Sequence, residues 1–325
     1  VATARQAAIA TPLRDTPCFA NRLRTVRIIA RYRRDMGLAR ERVARSAIAN
    51  TARGPIEYAE AGAGDPVLIV HGAGGGFDQG LDIGAALASH GFRVIAMSRF
   101  GYLRTGLPAD ASPTAQADAH TSLLDALQIQ QAAILGASAG APSSMQLALR
   151  HPGRCRALVL VVPVAFVPHS EGSAPGAGTT ATEVLFRTVL QSDFLFWAGI
   201  QYSPTTLIRW VLATPPAAVA RASPQEQARI DQTLNHALPI SLRGLGLRND
   251  VAVIARLPRY DLEQIAVPTL AISAADDGFG TLDGARYTAA HIAHARLVAY
   301  PDGGHMLVGR QDAAVAEIAA FVRGS

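Results

Sequence analysis

The pentapeptide Gly136-Ala137-Ser138-Ala139-Gly140 is the segment of this 325-residue chain that points most directly to covalent chemistry. It follows the apolar run Ala132-Ala133-Ile134-Leu135 and precedes a helix-forming stretch, so the serine sits where a strand turns sharply into a helix. Such a turn brings two backbones close together, and side chains at 136 and 140 would clash there. It would lift Ser138 Oγ above the sheet edge, with the partial positive charge of a helix N-terminus behind it. A serine hydroxyl is a weak nucleophile, so it needs a base, and the base needs an orienting acid.

The chain has nine histidines. His305 lies in the glycine-rich loop Pro301-Asp302-Gly303-Gly304-His305, just past the last apolar run, where a strand edge can aim it at Ser138. His90, His120, His151, His291 and His294 fall in or beside helical stretches and read as surface or capping residues. The acid is expected after the preceding strand, where Asp276 and Asp277 stand side by side and leave a choice. The loop His71-Gly72-Ala73-Gly74-Gly75-Gly76 has the backbone freedom to aim N–H groups at a developing oxyanion. Ala73 N–H, with Gly74 as second choice, is expected to act with Ala139 N–H. His71, at the strand end, is expected to buttress that loop by hydrogen-bonding its backbone. The loop lacks the Lys-Ser/Thr of a phosphate loop and the G-x-G-x-x-G spacing of a dinucleotide site.

These residues need a scaffold that delivers them to one edge. Short continuous apolar runs at 56–61, 67–70, 93–97, 132–135, 157–162, 269–273 and 296–300 read as strands buried on both faces. Amphipathic stretches at 79–90, 114–128, 139–150, 281–293 and 311–323 alternate with them. This alternation predicts an α/β fold with a mostly parallel central sheet flanked by helices. From 163 to 258 the alternation stops, and helical segments near 183–200, 204–213, 223–237 and 243–256 follow a Gly/Ser/Pro/Thr-rich stretch at 170–182. That interval is too long for a simple crossover and is read as an inserted helical cap. Six of the 19 aromatic residues lie between Phe186 and Trp210, and Phe186, Phe194, Trp197 and Trp210 are the expected pocket lining. The domain reading is thus an arm at 1–53, a core at 54–162, a cap at 163–258 and the rest of the core at 259–325.

The charge is lopsided. All 30 basic residues are arginine, so Schiff-base, phosphate-loop and kinase lysines are excluded. Residues 1–55 hold 12 arginines against Asp15, Asp35 and Glu41, while the remaining residues carry a net −4. The basic balance therefore belongs to the arm, which argues against nucleic acid as a partner of the body. A single stripe, Phe19, Leu23, Val26, Ile29, Tyr32 and onward to Ala47, predicts helix over 19–48, with Gly37 a break point. Both a helix packed on the body and a membrane-surface helix fit it. Two cysteines, Cys18 and Cys155, exclude a disulfide scaffold and a multi-cysteine metal cluster. No run of 18 apolar residues occurs. The chain starts at Val1, and the sequence neither implies nor excludes a leader; soluble, membrane-associated and exported forms all stay open.

In combination these motifs resemble the α/β-hydrolase superfamily over roughly residues 54–323. His71-Gly72 is similar to its oxyanion turn, Arg99-Phe100-Gly101-Tyr102 to its R-x-G-[YF] turn, 136–140 to its nucleophile elbow and Gly304-His305 to its "GH". The segment 268–277 is similar to P-T-L-x-I-x-G-x-x-D, whose final acid falls on Asp277, although Ala274 stands where the family has glycine. The resemblance, nearest the haloperoxidase/esterase-like branch, implies a serine hydrolase with Ser138, Asp277 and His305 as its triad. It also implies a small, apolar or aromatic carboxylic ester as substrate, and no metal or organic cofactor. Ser138 speaks against haloalkane and epoxide chemistry, which uses an aspartate at the elbow. Carbon–carbon bond hydrolysis and perhydrolysis are alternatives on the same triad, the former weakened by Met306 where those relatives carry tryptophan. A non-catalytic binding protein of this fold is a further alternative.

Overall fold

A computed structural model describes residues 17–168 and 189–325, with side chains from residue 25 onward. The chain divides into a compact unit ending at Leu38 and a second from Ala39 to Ser325. The described residues of the first belong to helix α1 (Pro17–Val43), which runs through Gly37 without a break. The second is built on eight strands: β1 (Ala47–Thr51), β2 (Gly54–Ala61), β3 (Asp65–Val70), β4 (Phe92–Met97), β5 (Ala132–Ala137), β6 (Cys155–Val161), β7 (Thr269–Ala274) and β8 (Ala295–Tyr300). Their order is β1-β2-β4-β3-β5-β6-β7-β8. Among the described residues only the β1–β2 and β2–β4 pairings are antiparallel.

The one strand that the periodicity missed is β1. A helix was expected to reach residue 48, but α1 stops at Val43 and 47–51 pairs with β2 as a hairpin. The reason is local. Gly54 closes the turn at φ +94°, and alternation over five residues is too short to outweigh a helical stripe. The seven expected strands are all present, and β5 and β7 are buried at every position.

Helices α3 (Pro113–Ala126), α4 (Ala141–Arg150) and α10 (Thr281–His291) cover one sheet face, while α2 (Phe77–Ser89) and α11 (Gln311–Arg323) cover the other. Between β6 and β7 the described residues 189–256 hold five α-helices and no strand. These are α5 (Asp193–Tyr202), α6 (Pro204–Trp210), α7 (Pro216–Arg221), α8 (Pro224–His236) and α9 (Gly244–Ile254). The expected loop at 170–182 and Phe186 lie outside the described residues. No described helix is long and apolar enough to cross a membrane.

Candidate active site

The parallel strands β3, β5, β7 and β8 all end at one edge, and the chemistry-bearing residues leave from those ends. Ser138 follows β5 at φ +49°, in the left-handed region, a strain of roughly 1–3 kcal/mol that surrounding contacts must hold. A Cβ on Gly140 would lie 2.3 Å from Val70 O, and one on Gly136 would lie 2.5 Å from Ser144 Oγ. Glycine at these two positions is therefore a steric requirement of the turn. Ser138 O accepts a further hydrogen bond from Val164 N–H, which ties the elbow to the segment after β6.

His305 and Asp277 meet across the ends of β8 and β7. Nδ1 of His305 donates to Asp277 Oδ2 at 2.8 Å, and the histidine side chain is only 10% exposed. Thr281 Oγ1 donates to the same oxygen, and Phe279 N–H donates to Oδ1 at 2.9 Å. Burial pushes the Asp277 carboxyl up, but the bonds and charge from His305, Thr281 and Phe279 outweigh it and hold it below the usual carboxylate range. The neighbouring acid does something else. Asp276 Oδ1 accepts Gly304 N–H at 2.7 Å and so clips the histidine loop to the β7 end. Of the two adjacent aspartates, Asp277 is thus the one on the imidazole. Ser138 and His305 line one cavity of about 380 Å³, together with Gly72, Ala73 and Gly74.

The glycine loop is held by a buried polar lattice. Arg99 N–H donates to His71 Nε2 at 3.0 Å, which leaves the proton on Nδ1, donating to Gly72 O at 2.7 Å. Gly72 N–H is taken by Gln79 Oε1, and Gly74 N–H is taken by the Tyr102 hydroxyl at 3.2 Å. Gly74, the second-choice oxyanion donor, is therefore already engaged, because the loop uses it to anchor itself. Ala73 N–H donates to nothing among the described residues. Ala139 N–H stands in the first helical turn after the serine, where N–H groups lack an intrahelical acceptor.

Two buried ion pairs then join this loop to the helices after β6. Arg99 meets Asp250 of α9 through two hydrogen bonds at 2.8 and 2.6 Å, and Tyr102 O–H donates to the same carboxylate at 2.5 Å. In the opposite sense Arg243, fully buried, reaches back to Asp78 at 2.7 Å and to Gly75 O. Burial raises the Asp78 carboxyl, but Arg243 and Arg42 together bring it below the usual range. Burial and Asp250 hold the Tyr102 hydroxyl well above its ordinary value, so it stays a neutral donor.

With this geometry in place, comparison with known proteins is decisive for the family. The family profile described as the alpha/beta hydrolase fold matches residues 65–309, well over half of the chain. The chain belongs to the α/β-hydrolase family. It is similar to the uncharacterized hydrolase YcgS of Bacillus subtilis (strain 168), 28% identical over 279 residues that cover 82% of this chain and 93% of YcgS. It is also similar to the 2-hydroxy-6-oxononadienedioate/2-hydroxy-6-oxononatrienedioate hydrolase of Paraburkholderia xenovorans (strain LB400), 28% identical over 77% of this chain and 84% of that protein. Among solved structures, an alpha/beta hydrolase fold protein from Nakamurella multipartita superposes with a TM-score of 0.67 at 29% identity, covering 86% of this chain and 99% of the other.

Within this hydrolase the expected aromatic lining is largely elsewhere. Phe194 and Trp210 are exposed, at 43% and 58%, and Trp197 is fully buried. None of the three lines the cavity; Phe196 does. The cause is helical facing: Phe194 and Trp197 are three residues apart on α5 and stack at 5.9 Å, while Phe196 points the other way. Phe279, edge-on to His305 at 4.9 Å, is a lining residue that periodicity had no means of finding. Arg229 of α8 supports the histidine loop by donating to Met306 O at 2.9 Å while paired with Glu226.

Two buried histidines behind the site, His71 and His120, carry a pH consequence; His120, expected at a surface or a cap, is instead fully buried. Burial first, and then the charge of Arg99, lowers His120 to about 3 and drives His71 in the same direction. The unfolded chain takes up these protons near pH 6.5, whereas folded His120 resists until about pH 3. Stability from this residue is thus complete above pH 6.5 and falls as pH drops, by roughly 1.4 kcal/mol per unit. Denaturant unfolding is expected to give a free energy at pH 5.0 lower than at pH 7.5 by about 2 kcal/mol from His120, with His71 acting in the same direction. Equal values at the two pH values would contradict this.

Proposed function

We propose that this hydrolase cleaves a carboxylic ester through an acyl-enzyme on Ser138. The observation that carries the reading is the 2.8 Å bond from His305 Nδ1 to Asp277, made in the cavity that Ser138 also lines. That bond fixes the tautomer in which Nε2 is free to accept a proton. His305 Nε2 takes the Ser138 hydroxyl proton as Oγ bonds to the ester carbon, and the carbonyl electron pair moves onto oxygen. Ala73 and Ala139 N–H groups stabilise that oxyanion. Collapse breaks the bond to the alkoxy oxygen, which leaves with the proton from His305. Water then repeats the sequence on the acyl-enzyme, releasing the acid and restoring Ser138. Asp277 stabilises the imidazolium in both halves without taking the proton.

In this reading the helices at 189–256 form a cap over the site, latched by the Arg99–Asp250 and Arg243–Asp78 pairs. The Paraburkholderia relative's name supports a second reading, hydrolysis of an oxo-dienedioate. A dicarboxylate calls for free cations. Arg229, the one arginine among the described lining residues, is already paired with Glu226. The ester reading is preferred on that ground. Turnover of p-nitrophenyl esters by the wild-type protein, absent in Ser138→Ala, is the expected result. Wild-type protein inactive on all of them, or a Ser138→Ala variant at full rate, contradicts the proposal.

A further inference from the structure

The cavity does not stop at Ser138. It continues into the layer between the sheet and the helix pair α2 and α11, and its walls there are complete faces of three elements. On α2 the lining residues Gln79, Asp82, Ile83 and Leu87 follow at i, i+3, i+4 and i+8. On α11 Gln311, Ala314, Val315 and Ile318 follow at i, i+3, i+4 and i+7. On β5 Leu135 and Ala137 are two apart and share one sheet face. A space bounded by three contiguous stripes is a slot built by the fold, whereas interiors normally keep few voids larger than a water molecule.

Its chemistry is graded. Gln79 stands at the mouth, with Oε1 on Gly72 N–H beside the glycine loop, and Asp82, less than one turn on, is engaged by Gln232 and His236 of α8. Farther in, Ile83, Leu87, Leu135, Ala314, Val315 and Ile318 offer no hydrogen-bonding side chain. The far end is closed: Leu87, Leu135 and Ile318 are 1%, 0% and 5% exposed. The opposite side of the site is open, where Phe279, 56% exposed, stands against His305. From Gln79 to Leu87 a helix advances ~12 Å, and from Gln311 to Ile318 ~10 Å.

Resting on the acyl-enzyme reading, we propose that the slot holds the unbranched aliphatic acyl chain of the substrate. The alcohol must take its proton from His305 and depart, which suits the open side at Phe279. The closed slot suits the group that stays bonded to Ser138 while water arrives. A depth of about 10–12 Å accommodates about eight carbons, each adding roughly 1.3 Å when C–C bonds of ~1.5 Å are extended.

The test compares kcat/KM for p-nitrophenyl octanoate and acetate in wild type, Ala314→Phe and, from the neighbouring helix, Leu87→Phe. The wild type is expected to favour octanoate at least tenfold, and each variant that retains a cooperative thermal transition is expected to lower that ratio at least tenfold. Filling a real void leaves Tm unchanged or raised; a fall in Tm in both variants means that the space is already packed and overturns the slot. A ratio unchanged in either folded variant overturns it as well. Calorimetric binding of octanoate to Ser138→Ala protein separates the two ideas. Octanoate bound there, and lost on adding Ala314→Phe, supports the slot even if no ester is turned over, in which case only the hydrolase reading fails. Octanoate not bound overturns the slot and leaves ester turnover to stand or fall by itself.

Discussion

Replacing Asp277 by asparagine is expected to lower kcat on an ester substrate by about 10⁴ while leaving the fold intact. Three donors converge on this carboxylate: His305 Nδ1 and Thr281 Oγ1 on Oδ2, and Phe279 N–H on Oδ1. An amide has one acceptor oxygen. If that oxygen keeps Phe279 N–H, the amide N–H₂ faces His305 Nδ1 and Thr281, and the imidazole shifts its proton to Nε2. In that tautomer it cannot take the proton from Ser138. The neighbouring change Asp276→Asn keeps an acceptor for Gly304 N–H and is expected to cost less than tenfold. Steady-state kinetics on both variants decides the matter. Equal losses at 276 and 277 would contradict the assignment of roles to the two aspartates.

The second large effect is on stability. Asp250→Ala is expected to destabilise the protein by about 3–5 kcal/mol, because it leaves Arg99 buried without its counter-charge. It also removes the acceptor for the Tyr102 hydroxyl, whose oxygen in turn receives Gly74 N–H. The glycine loop therefore loses support along with the helix α9 contact. The paired replacement Arg99→Met with Asp250→Leu removes both charges and is expected to recover most of the loss, since no unpaired charge remains. Urea unfolding at pH 7.5 measures all three proteins. A cost below about 1 kcal/mol for Asp250→Ala would place this pair with exposed salt bridges, contrary to its burial.

These two cases also mark how far the sequence could be read. The parallel sheet was legible because continuous apolar runs in β3, β5 and β7 have few other uses, and the burial of those strands matches them. The elbow was legible because glycine spacing, preceding strand and following helix coincide. The order of Ser138, Asp277 and His305 along the chain followed from strand ends. Asp250 and Arg243 were not legible. Their partners lie 151 and 165 residues away, and an arginine or aspartate in a helical stretch reads as a solvated face. The single clue was Arg99 in a turn motif, which says that a partner exists but not where. The aromatic cluster shows the same limit. Its composition pointed to a pocket, yet α5 is apolar around its whole circumference, so nothing in the spacing told Phe196 from Phe194 and Trp197. Strand β1 was lost because its first residue, Ala47, continues the helical stripe in register and four further residues are too few to show alternation.

The central claim is that Ser138 is a nucleophile activated by His305. Intact-mass measurement of labelling by a fluorophosphonate probe tests it most directly. One adduct per wild-type chain, mapped to Ser138, absent in Ser138→Ala and formed at least 100-fold more slowly in His305→Ala, is the expected result. No adduct on the folded wild-type protein, or an adduct that persists in Ser138→Ala, would contradict it.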